Sequence, residues 1–201
     1  CYLRADRICT DEKRAEEWKN GGLFRARLGL ESASQRILDD MVKKTTPDNM
    51  SKSLKALSKH GILTSTLWIV GYSGETEQEF NSTISFIEEN RNYIFQADPW
   101  VFQYHPTGLS GSKELKKKGH KLRYSDEMNN LLALTPYVLD DSTGPAEKFD
   151  RLKRFTKKMD ELKIPNPYTI PKMYSALQRF SNLHKDSGWD PIKSMKKHEV
   201  N

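Results

Sequence analysis

Residues 62–76 read Ile-Leu-Thr-Ser-Thr-Leu-Trp-Ile-Val-Gly-Tyr-Ser-Gly-Glu-Thr. The first nine carry β-branched and large apolar residues in a nearly continuous run, as a strand buried on both faces does. Gly71 and Gly74 then bracket Tyr72 and Ser73 in a tight turn. Thr76 predicts a helix N-cap, Glu79 completes a capping box three residues later, and Phe80, Ile84 and Ile87 follow at helical spacing. The stretch is strand, glycine turn, helix, with Glu75 at the strand's C-terminal mouth. In parallel α/β folds that mouth is where ligands bind.

A second unit has the same build. Leu23 to Leu28 alternates as a strand, and Gly29-Leu30-Glu31-Ser32 turns into a helix carrying Ile37, Leu38, Met41 and Val42. Upstream, Cys1 to Ile8 reads as a short strand ending near Arg4-Ala5-Asp6. Thr10 caps a helix with Ala15 and Trp18 facing inward, and Gly21-Gly22 stop it. Between the two units, Thr46 caps a helix with Pro47 in its first position, and Met50, Leu54 and Leu57 form the buried stripe. A fourth strand, Trp100 to Tyr104, leads into His105-Pro106-Thr107-Gly108.

Strands alternating with helices predict an α/β fold: a partial parallel (β/α) barrel of about four units. Right-handed crossovers bring the four strand mouths to one rim. That rim collects Arg4 and Asp6, Glu31 and Ser32, Gly71 to Glu75, and His105 to Gly108. Carboxylates, an arginine, hydroxyls and open backbone suit a zwitterionic, ribose-bearing ligand.

From Leu109 the character changes. A Gly-, Ser- and Lys-rich stretch runs to about Tyr124, and three helices are expected at Asp126–Leu134, Ala146–Leu162 and Pro171–His184. In the second, Phe149, Leu152, Phe155, Met159 and Leu162 keep 3-and-4 spacing, which marks a packing face. The expected division is a barrel part over residues 1–110 and a linker with a helical C-terminal extension over residues 111–201.

A hydrophobic content of 36% beside 30% charged residues describes a soluble, surface-rich protein. No run approaches the roughly 18 apolar residues of a membrane span, and no secretory signal opens the chain, so the expectation is cytoplasmic, without a membrane partner. Because the first residue is Cys and strand-like sequence starts at once, the chain reads as a piece of a longer protein. Cys1 and Cys9 are too few for a disulfide framework or a metal-binding set, and read as ordinary thiols. The net charge of +6 lies largely in Lys113 to Lys121 and Lys193 to Lys197; no aromatic pattern interleaves these runs, which favours a solvated surface over nucleic-acid contact.

Gly-Leu-Glu-Ser-Ala-Ser-Gln-Arg-Ile-Leu-Asp-Asp-Met (29–41), Lys43 to Thr46, and Ile-Val-Gly-Tyr-Ser-Gly-Glu-Thr (69–76) together resemble the radical S-adenosylmethionine (SAM) superfamily. The branch they resemble most often carries a cobalamin-binding domain. The resemblance implies the third to sixth strands of a (β/α)6 barrel that binds SAM at its strand mouths. It further implies a [4Fe-4S] cluster whose Cys-x3-Cys-x2-Cys loop lies outside this chain, and a 5′-deoxyadenosyl radical or cobalamin-dependent methyl transfer as the chemistry of the parent enzyme. Carried over by residue, Glu31 and Ser32 contact the amino group or ribose of SAM, and Arg4 faces its carboxylate. Ile69 to Gly71 line the adenine, backbone near Tyr104 to Pro106 binds its edge, and Glu75 joins the rim. The substrate is expected to be a small molecule or peptide, with tRNA open because some relatives modify it, and the rest of the parent chain is the implied partner. A non-catalytic, degenerate barrel that binds a ligand or partner is the alternative. Leu67, Tyr72-Ser73 and Lys44 depart from the family pattern.

Overall fold

The computed structural model describes residues 1–102 and 145–166, together with residues 179, 182 and 183. Four strands, β1 (Tyr2–Leu3), β2 (Arg25–Glu31), β3 (Leu63–Val70) and β4 (Gln96–Val101), form one sheet in the order β1-β2-β3-β4. Every neighbouring pair is parallel. Between them run α1 (Glu12–Asn20), α2 (Gln35–Asp40), α3 (Pro47–Lys59) and α4 (Glu77–Glu89); α5 (Pro145–Glu161) follows. The expected partial parallel barrel in sequence order is what the chain forms.

The sheet has two unlike faces, because successive side chains on a strand point to opposite sides. Ala26, Leu28 and Leu30 of β2 and Trp68 and Val70 of β3 are buried. They pack with Met50, Leu54 and Leu57 of α3, and with Phe80, Phe86 and Ile87 of α4, in one core. Phe155 and Met159 of α5, and Ile164 beyond it, join the same core. Ala97 N–H also donates to Pro165 O at 3.0 Å, so the segment after α5 is bonded to β4. The opposite face carries Arg25, Arg27 and Gly29, register-matched to Leu63, Ser65 and Leu67, then Gln96 and Asp98.

Caps set the element boundaries. The Thr76–Glu79 capping box forms in both directions, and Thr46 caps α3 behind Pro47, as their spacing predicts. Other boundaries differ from expectation. β1 is only two residues long, because residues 7–10 turn into a 3₁₀ segment capped by Asp6. Thr10 closes that segment, its hydroxyl donating to Arg7 O, so Asp11 and not Thr10 caps α1. β2 continues past Leu28 through Gly29, Leu30 and Glu31, with an irregular register between Gly29 and Glu31. α2 ends at Asp40; Val42 has a φ of 56° and is 54% exposed, so it is not part of that helix's apolar face.

β4 starts at Gln96, four residues before the expected Trp100. Gln96 and Asp98 look like loop residues in sequence, yet the polar face of the sheet gives both hydrogen-bond partners. The expected helix at Ala146–Leu162 is α5, shifted by one residue at each end. Those at Asp126–Leu134 and Pro171–His184 lie outside the described residues, apart from 179, 182 and 183, which are helical.

Candidate functional site

At the mouth of β2 the chain departs from regular geometry. Glu31 sits at the register irregularity with a φ of 65°, a left-handed conformation that costs a non-glycine residue energy unless its surroundings hold it. Its carboxylate folds back over Gly29: a Cβ built there would lie 2.7 Å from Glu31 Oε1. Lys43, in the loop after α2, donates to the same oxygen at 2.7 Å. The backbone carbonyl of Lys43 accepts from Arg4 Nη2, and Thr45 Oγ1 donates to Ala5 O, which ties this loop to the end of β1. Between them opens a cavity of about 420 Å³, whose lining includes Arg4, Asp6, Gly29, Lys43 and Lys44. Arg4 and Glu31, expected on one rim, are linked through Lys43: Arg4 lines the recess, and the Glu31 carboxylate lies beside it against Gly29.

Ser32 does not face that recess. It is buried, with its hydroxyl 3.4 Å from Thr83 Oγ1 and accepting from Ser34 N–H. Ser34 caps α2 and donates to Glu79 Oε1 at 2.8 Å. Arg36 grips both Glu79 oxygens at 2.6 and 2.7 Å, and Thr76 N–H adds a further bond. The Arg36 hydrogen bonds, helped by those of Thr76 and Ser34, hold the Glu79 carboxyl down at about 2. A depressed carboxyl stabilises the fold above its unfolded value, and that contribution is lost as pH falls through the folded value. We expect stability to drop between about pH 4.5 and pH 2, with Glu79→Gln flattening that part of an acid denaturation curve followed by circular dichroism.

The next mouth, after β3, is closed by α5. Gly71 has a φ of 73°, and a Cβ there would meet Lys148 Cγ at 2.5 Å, so only glycine fits beneath this helix. Gly71 N–H donates to Glu75 Oε2 at 2.8 Å. Arg151 Nη1 donates to the same oxygen and to Glu75 O, each at 2.9 Å, and both side chains are only 2% exposed. Burial pushes the Glu75 carboxyl up, opposed by the Gly71 N–H and by Arg151. Glu147, one turn earlier on α5, also pairs with Arg151, and Glu77 of α4 pairs with Arg154, which ties α5 to α4. Glu75 is therefore committed to an internal ion pair. Ile69 is half-buried on the polar face of β3. Tyr104 and Pro106 lie outside the described residues.

The cysteines do not fit a cluster. Iron–sulfur clusters are held by thiolates, whereas the Cys9 thiol is pushed up to about 11, chiefly by burial, and donates to Arg4 O at 2.9 Å. Cys1 is exposed. Among the described residues no group of three or more His, Cys, Asp or Glu could hold a metal, and no helix is long and apolar enough to cross a membrane. The donor set of the β2 recess, by contrast, does fit SAM: a carboxylate for an ammonium or hydroxyls, and cations for a carboxylate.

Three features escaped the sequence reading. Lys43 pairs with Glu31 from twelve residues away, across α2, a separation that no local spacing rule covers. Arg25 and Arg27 stand at alternate strand positions, a sign that one face of β2 is polar. Arg151 interrupts the apolar stripe of α5 at a buried position, a signal only a structure makes plain.

The sequence profile of the Radical SAM superfamily matches residues 2–87. The chain is 28% identical over 178 residues to an anaerobic magnesium-protoporphyrin IX monomethyl ester cyclase of Rubrivivax gelatinosus, covering 84% of this chain and 30% of that protein. It is 38% identical over 89 residues to a tRNA-2-methylthio-N(6)-dimethylallyladenosine synthase of Ehrlichia ruminantium, covering 43% of this chain and 19% of the relative. The chain thus spans less than a third of either relative. Among solved structures it resembles a radical SAM methyltransferase of Kitasatospora setae, which contains cobalamin and a [4Fe-4S] cluster. There the TM-score is 0.51 at 16% identity, over 95% of this chain and 36% of that one, a likeness of fold. Residues 2–87, which build the β2 recess and the strand mouths around it, are a radical SAM superfamily segment.

Proposed function

We propose that this chain supplies the SAM-binding rim of a longer radical SAM enzyme. The observation that carries the reading is the recess lined by Arg4, Gly29 and Lys43, with the Glu31 carboxylate held against Gly29 by Lys43. Glu31 would accept from the SAM ammonium or ribose hydroxyls, and Arg4 and Lys43 would meet its carboxylate. Ile69 to Gly71 would line the adenine. When bound, SAM and a [4Fe-4S] cluster supply one-electron chemistry, the cluster resting on residues other than Cys1 and Cys9. The cobalamin-containing structural neighbour supports cobalamin as a further cofactor of the parent, and the tRNA-modifying relative keeps tRNA among its substrates.

Glu31 is held in its place by Lys43 and by the bare Cα of Gly29, and both can be tested without turnover. In Gly29→Ala the added methyl meets only the end of a flexible side chain, so the sheet should persist while the Glu31 carboxylate moves aside. We expect SAM affinity, titrated calorimetrically in the parent protein, to fall by roughly 1 kcal/mol, about fivefold, as for one lost hydrogen bond. A Gly29→Ala protein that binds SAM as tightly as wild type would remove Glu31 from the ligand.

A further inference from the structure

The polar face of the sheet holds a second constellation, separate from the recess. Arg25 Nε donates to Ser65 Oγ at 2.8 Å, and its Nη2 donates to Gln96 Oε1; both of these partners are neutral. Arg27 Nη2 donates to Asp98 Oδ2 at 2.9 Å, while the other Asp98 oxygen accepts from Gln96 Nε2. Asp98 is thus bonded to Arg27 directly and linked to Arg25 only through Gln96. Burial and the neighbouring Arg27 push the Arg25 guanidinium down, and Asp98 only partly offsets this. Among the described residues Arg27 Nε is buried with no hydrogen-bond partner, although Nε and Nη2 form the edge that grips a carboxylate in two-point fashion.

An unfilled donor beside excess positive charge, in a partly desolvated place, asks for an anion. Arg27 is not sealed off: its side chain is 36% exposed, and its guanidinium lies over the Tyr2 ring, 5.2 Å from the centroid. Tyr2 is 71% exposed at one end of this face, and Trp100, in register with Ile69 on β4, is 59% exposed at the other. Two exposed aromatic rings on either side of an arginine pair make a platform for a flat apolar body that ends in a negative group.

We infer that this face recognises the substrate of the parent enzyme, a small molecule carrying a carboxylate on a flat, unsaturated body, with Arg27 as the gripping group and Arg25 as its charged support. The inference rests on the SAM-binding reading only in placing the substrate on the same sheet as SAM; the arginine chemistry stands apart from it.

The test uses the full chain with its arginine side chains labelled with ¹⁵N, titrated with benzoate, with its neutral isostere benzamide, and with inorganic phosphate at constant ionic strength. Benzoate should move the Arg27 Nε–H resonance saturably, and benzamide and phosphate should not. Arg27→Lys keeps the charge but loses the planar fork, and should weaken benzoate binding about tenfold. The same variant in the parent protein should bind SAM as wild type does. Absence of a saturable shift, an equal response to benzamide, or binding of phosphate in place of benzoate would each overturn the inference. Failure of wild-type protein to bind SAM, with the benzoate result intact, would strike the SAM-binding reading alone.

Discussion

Arg151→Met should destabilise the fold by about 3–5 kcal/mol, the cost of leaving a buried charge without its partner. Arg151 lies between Glu75, Glu147 and the more distant Glu77, whose Oε2 is 3.7 Å from its Nε. Without it, the Glu75 carboxylate keeps, among the described residues, only the Gly71 N–H and remains buried beneath α5. The helix would also lose its tie to the carbonyl of Glu75, while Arg154–Glu77 and Lys158–Glu88, both more exposed, would contribute little. For a chain of this length about 2–4 °C accompanies each kcal/mol, so a thermal melt should move by roughly 6–20 °C. Adding Glu75→Gln to the same protein removes the stranded charge while keeping an oxygen for Gly71 N–H, and should recover a large part of the loss. A single variant that melts within about 1 kcal/mol of wild type, the range of an exposed pair, would show that α5 is not clamped as described.

Glu31→Gln should act on binding rather than folding. The Glu31–Lys43 pair is partly exposed, the lysine side chain at 32%, so its contribution to stability is small. A charge-assisted bond to a SAM ammonium or hydroxyl is worth more, roughly 1.5–3 kcal/mol, or about ten- to a hundredfold in affinity. Lys43 competes for the same oxygen, so ligand binding must displace or re-aim it. Lys43→Met should then expose how much of the Glu31 charge the lysine holds in the free protein.

The backbone plan of this chain was legible because each βα unit carries its own punctuation. The Val70-Gly71 stop, the Thr76–Glu79 box and the Thr46-Pro47 start are local signals, and local physics decided them. The boundaries that moved depended on distant partners. β4 could begin at Gln96 only because Arg25 and Arg27, about seventy residues earlier in the chain, bond to Gln96 and Asp98. β2 could run on to Glu31 because Lys43 and the missing side chain of Gly29 accommodate a carboxylate at positive φ. The same logic separates the site candidates. Arg4 and Glu31 could be paired through a shared rim, but the burial of Ser32 against Thr83, and of Glu75 under Arg151, follows from packing that spacing does not encode.

Titrating SAM calorimetrically into the parent protein beside its Glu31→Gln variant, with a denaturant melt of each, distinguishes a ligand whose charged end sits at the β2 mouth from one held at the β3 turn. SAM affinity should fall about ten- to a hundredfold with an unchanged melting midpoint. Unchanged SAM affinity with a lowered midpoint would contradict a ligand at the β2 mouth and leave Glu31 a structural partner of Lys43.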